Sequence, residues 1–220
     1  MRSRREYLAA VGGVAGLVSG GCLDTIGSGS AAYEAAPSRV GQQVLDIVGY
    51  SFEELFDQVT EEEFSAGGAS RTVEVTNKFA TYTRNVNLGP FGEPLGAVFS
   101  SVTTPQVTIL GREFNPVERM STTELAETIQ DQFFGIENLS ADEESEVTVS
   151  GTTTTETKFT ADAGYKGSPI KLCLHVSEAV RMGDDFLVTV GLYPELLFLE
   201  EYRVRALMEA VEPAEEERSG

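Results

Sequence analysis

The chain has 220 residues with 35 acidic and 16 basic side chains, one histidine, two cysteines and a formal net charge of −19 at pH 7. This charge argues against nucleic acid as a partner, because phosphate contacts require a basic surface that the sequence does not offer. The length is sufficient for one domain with a hydrophobic core of its own.

The first residues are typical of an export signal. Arg2, Arg4 and Arg5 precede a weakly apolar stretch over residues 8–18. This stretch is too short for a membrane-spanning helix, which needs about 20 residues, and a basic segment before a short apolar one marks export. The motif SRREYL resembles the twin-arginine consensus, so we expect Arg4 and Arg5 to direct that route.

The export segment ends in small residues directly before a cysteine. Ser19, Gly20 and Gly21 precede Cys22, which resembles a lipobox, although Ser19 stands where leucine is usual. We therefore expect residues 1–21 to be removed and Cys22 to carry a lipid as the first residue of the mature chain. The alternative is an ordinary cleaved signal with an incidental cysteine. A lipid on Cys22 would leave Cys173 as a single, buried thiol.

The remaining chain is more acidic still. Residues 1–21 carry three arginines and one glutamate, so their removal would take the net charge from −19 to −21 and leave four lysines, Lys78, Lys158, Lys166 and Lys171. Such a chain repels itself in dilute buffer. Because the Debye length falls from about 10 Å at 0.1 M salt to about 3 Å at 1 M, concentrated salt would relieve the repulsion. We expect a protein of a halophile, with an ordinary acidic mesophile protein as the alternative.

A small, polar tether over residues 22–36 leads to the folded part. Val40, Val44, Ile47 and Val48 then have helical spacing, and Gly49 is a helix stop. Residues 51–65 are ambiguous, because their apolar spacing fits a helix whereas the following Gly67-Gly68 fits a hairpin turn between two strands. We expect a helix at the start of this segment and a strand over 59–65.

The middle of the chain alternates strand and turn signals. In the stretch 70–86, Val73, Val75 and Phe79 share one face of a strand. Glycines and prolines predict a loop over 89–96, a short strand follows at 106–110, and residues 115–116 form a turn. A capping box, Ser121 to Glu124, then begins a helix, whose apolar positions are Leu125, Ala126, Ile129 and Phe133.

The last third predicts a meander and a final helix. After an acidic loop at 142–144 we expect strands over 146–161, 169–176 and 185–193, with turns at 164–167 and 183–184. Val204, Leu207, Met208 and Val211 line a closing helix, before an acidic tail at 213–220. The prediction is one α+β domain over 37–212, an antiparallel sheet with helices packed on it. The order helix, three strands, helix in the last half resembles PsbP-like folds.

Several segments resemble a family of haloarchaeal secreted lipoproteins of unknown function. They are GYSFEELF, GGASRTVEVTNKFATYTR, SSVTTPQVTILGREFNPVERMSTTEL and FLVTVGLYPELLFLEEYRVRALMEAV. The resemblance covers most of residues 33–212 and the signal. It implies export by the twin-arginine route and a saline habitat, and it implies no activity or catalytic residue.

The sequence offers few catalytic groups. Cys173 and the single histidine, His175, lie two apart on a predicted strand and so share a face. A Cys–His nucleophile pair is one interpretation, and a buried thiol beside a hydrogen-bonded core imidazole is the favoured one. A zinc site would need further ligands. We therefore predict no catalytic residue, no metal site and no cofactor.

Acidic clusters and one modification motif complete the candidates. Residues 61–63 and 142–146 are rich in carboxylates but lack the spacing of a calcium-binding EF-hand loop, so we expect solvated faces. The sequence leaves open a carboxylate pair for glycoside hydrolysis. Asn138, in Asn138-Leu139-Ser140, is a candidate glycosylation site.

These observations predict a non-catalytic lipoprotein on the cell surface, held by a lipid on Cys22 at the outer face of the cytoplasmic membrane. Its partner would be a small ligand or an unknown envelope protein. The alternatives are an exported hydrolase that uses carboxylates and an accessory subunit of an envelope complex.

Overall fold

The computed structural model describes residues 31–66, 69–86, 95–109, 112–132, 136–165 and 168–214. The predictions for Arg4, Arg5 and Cys22 lie outside these residues, as do Lys166, Phe133 and most of the acidic tail. No helix in the described ranges is both long and apolar enough to cross a membrane.

Strands dominate the described part of the chain. In chain order they are β1 (Ala31–Glu34), β2 (Ser38–Val40), β3 (Ser51–Ala66), β4 (Ala69–Val86), β5 (Leu95–Pro105), β6 (Val107–Ile109), β7 (Arg112–Phe114), β8 (Ile136–Val149), β9 (Thr152–Tyr165), β10 (Ser168–Ser177), β11 (Val180–Met182), β12 (Asp185–Pro194) and β13 (Val211–Pro213). The helices are α1 (Gln42–Val48), α2 (Thr122–Gln132) and α3 (Glu200–Glu209).

One twisted sheet organises the domain. Seven of its strands are antiparallel neighbours in the order β3-β4-β5-β12-β10-β9-β8. Two short strands complete it, β1 parallel to β4 and β11 antiparallel to β12. The pairs β2–β13 and β6–β7 form small sheets of their own. The sheet thus ends in β3 at one edge and β8 at the other.

The three helices cover the two faces of the sheet. On one face α1 and α3 pack on a core that includes Tyr82, Phe99 and Leu187. On the other face α2 packs on a second cluster that includes Phe159 and Leu174. The prediction of an α+β domain with helices on an antiparallel sheet is confirmed, although strands outweigh helices.

Residues 51–66 form a strand throughout, so the expected helix at their start is wrong and the hairpin interpretation is right. β3 pairs with β4 from Ser51 opposite Thr83 to Ala66 opposite Ala69. Leu55 and Phe56 lie opposite Ala80 and Phe79 and therefore point to opposite faces. The long partner strand outweighs the helical spacing of four apolar residues, because it pairs with the segment from Ser51 to Ala66.

The acidic loop predicted at 142–144 is also wrong, since these residues lie within β8. The strand expected over 146–161 is divided between β8 and β9. A tight turn joins the two at Ser150 (φ 48°) and Gly151 (φ 77°), the left-handed geometry of a two-residue hairpin. The dipeptide Ser150-Gly151 was the available turn signal.

The helix predictions are largely confirmed. The Ser121 hydroxyl accepts the Glu124 backbone N–H, and the Glu124 carboxylate accepts the Ser121 N–H, as a capping box requires. Gly49, with φ 74°, ends α1. Ile47 departs from its predicted place on the apolar face, because its side chain is 75% exposed. Val40 and Val211 lie in strands β2 and β13 rather than in helices.

Candidate functional site

A network of buried polar groups crosses the sheet beneath α3. Glu156 of β9, His175 of β10 and Tyr193 of β12 share this face by the alternation of their strands. His175 Nδ1 is hydrogen-bonded to Glu156, and its Nε2 lies 2.8 Å from the Tyr193 hydroxyl. All three side chains are at most 2% exposed. The imidazole is therefore held at both nitrogens, as the favoured interpretation predicted.

The network of buried polar groups continues from the sheet into α3. Arg205 of α3 places its Nε 3.2 Å from Glu156 Oε2, and Ser145 of β8 donates a 3.1 Å hydrogen bond to the same carboxylate. Burial opposes the charge on Glu156, but the contacts with His175 and Arg205 outweigh it and hold the pKa of this carboxyl below its usual value. The group thus links three strands to α3 as an anion.

A glycine allows α3 to lie close to these strands. Gly191 of β12 pairs with His175, and a Cβ at this position would lie only 2.4 Å from Val204 Cγ1 of the helix. A side chain at residue 191 would therefore push α3 away from the sheet and lift Arg205 from Glu156. Val204 itself is fully buried.

Cys173 lies next to this network of polar groups but does not form a nucleophile pair with His175. Both nitrogens of the imidazole are engaged by Glu156 and Tyr193, so no ring nitrogen is free to take a thiol proton. Burial raises the pKa of the Cys173 thiol, although Lys158 opposes the rise. The thiol is free and buried, as predicted.

A second buried anion anchors the start of α3. Glu200 is 1% exposed and accepts hydrogen bonds from Tyr50 at 2.9 Å, Arg84 at 2.5 Å and Arg203 at 2.8 Å. Burial, followed by the charge of Glu200, raises the pKa of the Tyr50 hydroxyl and keeps it a neutral donor. The Glu200 carboxylate thus joins α3 to β4 and to the segment that follows α1.

Among the described residues, the buried acidic side chains are engaged in contacts with neighbouring groups. Burial raises the pKa of Asp185, but this side chain accepts the Ala36 backbone N–H at 2.6 Å and thereby fixes the chain between β1 and β2. A cavity of about 250 Å³ beside Arg205 is lined by Glu146 and Glu209, whose side chains face solvent. In the described ranges no three histidine, cysteine or acidic residues come together as a metal site would require.

The acidic clusters singled out in the sequence lie on the two edges of the sheet. Residues 61–63 belong to β3, and residues 142–146 belong to β8. Asn138 lies at an irregularity in β8, with φ 54° and an exposed side chain whose Nδ2 donates to Asp162 Oδ2 at 2.9 Å. The glycosylation motif is therefore accessible on a sheet edge.

Sequence reasoning missed an exposed apolar surface at the entry to α3. Leu196, Phe198, Leu199 and Tyr202 are between 48% and 75% exposed, and we refer to them as the entry patch. A cavity of about 170 Å³ opens beside them, lined also by Val86 and by Arg84 and Arg203. Five large apolar side chains within residues 196–202, in the turn before α3 and in its first turn, were the available signal.

Comparisons place the chain in a family without identifying an activity. A family model described as a domain of unknown function (DUF6517) matches residues 37–212, and the chain belongs to this family. No curated protein matches the chain. A crystal structure of PA94, a protein of unknown function from Pseudomonas aeruginosa, aligns over 70% of this chain and 98% of its own, with 8% identity and a TM-score of 0.35.

Proposed function

We propose that this member of the DUF6517 family is a non-catalytic lipoprotein of a halophile's cell surface that binds an envelope protein through the entry patch. The observation that carries the proposal is the exposure of Phe198 and Tyr202, each 75% exposed, beside an apolar cavity. Exposed apolar surface that gathers around a cavity is characteristic of interaction sites. Aromatic side chains are also enriched among the residues that contribute most to binding.

The polar groups beneath α3 support a structural rather than a catalytic role for the interior. Glu156, His175 and Tyr193 are satisfied by one another, and Glu200 is satisfied by Tyr50 and two arginines. These contacts fix α3, which in turn fixes the entry patch at its first turn. The rigid support reduces the ordering cost that a partner would meet on binding.

The location of the patch favours a protein over the bilayer as its occupant. A lipid on Cys22 would hold the chain nine residues before Ala31, a distance of at most about 30 Å. β1 then pairs with β4 at Val73, whereas the patch adjoins Val86 at the other end of β4, about 43 Å further at 3.3 Å per residue. The net charge of −19 also disfavours contact with anionic headgroups.

The partner is tested in detergent-solubilised membranes of the source cells. We expect one protein to co-purify in constant ratio with the wild-type chain and to be lost with Phe198→Ser/Tyr202→Ser. Ile47→Ser is the matched control, because Ile47 is equally exposed but lies in α1. Loss of the partner in both variants, or in neither, would contradict the proposal. Binding of the purified chain to lipid vesicles that requires Phe198 would identify the patch as a membrane contact instead.

The anchor is tested by the mass of the mature N-terminus. We expect the mature chain to begin at Cys22 with the added mass of a lipid, since two long chains, each adding about 0.8 kcal/mol per buried CH₂, are needed for stable attachment. Arg4→Lys/Arg5→Lys should retain the precursor in the cytoplasm, and Cys22→Ser should abolish the lipid mass. A wild-type chain that begins elsewhere, or carries no lipid, would refute the anchor and leave the entry patch to be judged separately.

A PsbP-like fold is the finer structural proposal. A helix, a run of strands and a second helix do follow one another in the second half, as α2, β8 to β12 and α3, which supports it, although the run has five strands rather than the expected three. An experimental structure whose second half superposes on such folds strand by strand is the expected result, and a different strand order would rule it out.

A further inference from the structure

The edge strand β3 combines exposed apolar side chains with dense negative charge. It is 16 residues long, pairs with β4 on one side, and is the end of the sheet in the described part of the chain. Phe52, Leu55, Phe56 and Val59 are between 40% and 55% exposed along it. Its exposed acidic residues are Glu53, Glu54, Asp57, Glu61 and Glu63.

The two components lie on both faces of the strand. Leu55 and Val59 share the face on which Asp57 contacts Lys78, at 2.8 Å. Phe56 is on the opposite face, stacked on Phe79 with the ring centroids 4.8 Å apart. An added strand next to β3 would therefore cover apolar surface on both faces and meet carboxylates at intervening positions.

The opposite edge strand of the sheet, β8, provides a comparison because it carries exposed charge without exposed large apolar side chains. β8 carries exposed acidic residues at Glu137, Glu143, Glu144 and Glu146, but none of the exposed large apolar side chains of the described residues lies on it. Charged side chains on an edge strand prevent pairing with other chains. Such protection explains the acidic residues of β8. The exposed apolar side chains of β3 oppose this protection, so they require another explanation.

We infer that β3 is a docking edge for an extended segment of another protein that presents both basic and apolar residues on each of its two faces. An edge strand offers unpaired backbone donors and acceptors that an incoming strand can satisfy, and side-chain contacts then select the partner. A second copy of this chain would bring the same carboxylates against these carboxylates, which is unfavourable. A segment with lysine or arginine opposite Glu53, Glu54 and Glu61 satisfies both the charge and the apolar surface.

The docking edge begins beside the entry patch, because Tyr50 directly before β3 donates to Glu200 at the start of α3. Binding along β3 deepens the proposed function, because one envelope protein would contact the patch and the edge together. It does not depend on the lipid anchor. The two proposals can fail separately, since one rests on Phe198 and the other on β3.

The probe is a synthetic peptide of about ten residues, blocked at both ends, in which pairs of valines alternate with pairs of lysines so that each face carries both residue types. Binding to the full-length chain is measured by isothermal calorimetry in about 0.5 M KCl, where circular dichroism first shows the chain to be folded. We expect saturable binding of one peptide and none of the matched peptide in which glutamate pairs replace the lysine pairs. Amide hydrogen exchange should slow within Ser51–Ala66 on binding.

Matched variants locate the site. Glu53→Gln/Glu54→Gln/Glu61→Gln/Glu63→Gln should weaken binding about tenfold, because several exposed charge pairs of modest strength are lost together. The same charge change on the other edge, Glu137→Gln/Glu143→Gln/Glu144→Gln/Glu146→Gln, should leave the affinity within about twofold.

Two further variants separate the apolar contribution from the entry patch. Leu55→Thr/Val59→Thr keeps good strand formers and should also weaken binding, whereas Phe198→Ser should not. No binding, equal effects of the two charge variants, or protection in β8 rather than β3 would overturn the inference. So would slow exchange, without peptide, of the β3 amides that point away from β4, because the outer edge would then already be covered.

Discussion

Gly191→Ala is expected to destabilise the domain because the new methyl group meets α3. The added Cβ would lie 2.4 Å from Val204 Cγ1 and 2.8 Å from Cγ2, whereas carbon atoms in contact are normally about 3.5–4.0 Å apart. Val204 has one strongly preferred rotamer in a helix, so the helix must move by about 1 Å. Overpacking of this kind costs about 1–3 kcal/mol, and we expect about 2 kcal/mol after the smaller gain from replacing a glycine within a strand.

Urea unfolding in concentrated salt, followed by circular dichroism, measures this cost. Gly164→Ala is the control, since a Cβ at Gly164 of β9 would have no atom within 4 Å, and we expect a change within about 0.5 kcal/mol. Val204→Ala alone should cost about 2 kcal/mol through lost burial. In Gly191→Ala/Val204→Ala the two shortest contacts are removed and only the 3.2 Å contact between the two Cβ atoms remains, so the double variant should be at least about 1 kcal/mol more stable than additivity predicts. Full stability of Gly191→Ala, or strict additivity, would refute the close approach of α3.

Three further predictions follow from burial and charge. Cys173, whose pKa is raised by burial, should react with a thiol reagent only after unfolding, and rapid reaction of the native chain would contradict its buried position. Burial also raises the pKa of Asp185 in the folded state, so the wild type should lose stability relative to Asp185→Asn as the pH rises above about 3.9. Urea unfolding should therefore show equal stability of the two proteins near pH 3 and a more stable Asp185→Asn variant near pH 7. Lowering KCl from about 3 M to about 0.05 M should unfold the chain as self-repulsion grows; an unchanged circular dichroism spectrum and melting temperature would show that packing outweighs repulsion.

The sequence predicts those parts of the fold that local patterns encode. Alternation identifies β4, β10 and β12, and the capping box identifies the start of α2. The central strand β5 escapes this reasoning because Ser101 and Thr103 are buried within it. Their hydroxyl groups bond to Ser38 and to the Ala36 carbonyl, more than 60 residues away. A segment whose polar groups are satisfied at such a distance has the composition of a loop.

The candidate site shows the same limit. Alternation alone puts Cys173 and His175 on one face, which the structure confirms. The partners of His175 are 19 and 18 residues away in sequence, at Glu156 and Tyr193. They become neighbours only through the register of three strands, which a single sequence does not specify when both faces are covered. Arg205 joins the group only because Gly191 admits the helix.

Salt should stabilise this domain even though ion pairs hold α3, because the basic residues in these pairs are partly buried. Arg205 and Lys158 contact Glu156 and Glu201 with their side chains 31% and 18% exposed, and Glu200 is buried between two arginines. Salt screens such partly buried pairs weakly. The exposed carboxylates of β3 and β8 are screened strongly, because they face water at the two edges of the sheet. Added salt therefore removes more repulsion from the edges than attraction from beneath α3. Because the same screening weakens attraction for a basic strand at β3, salt should raise the stability of the domain while it lowers the affinity of that edge.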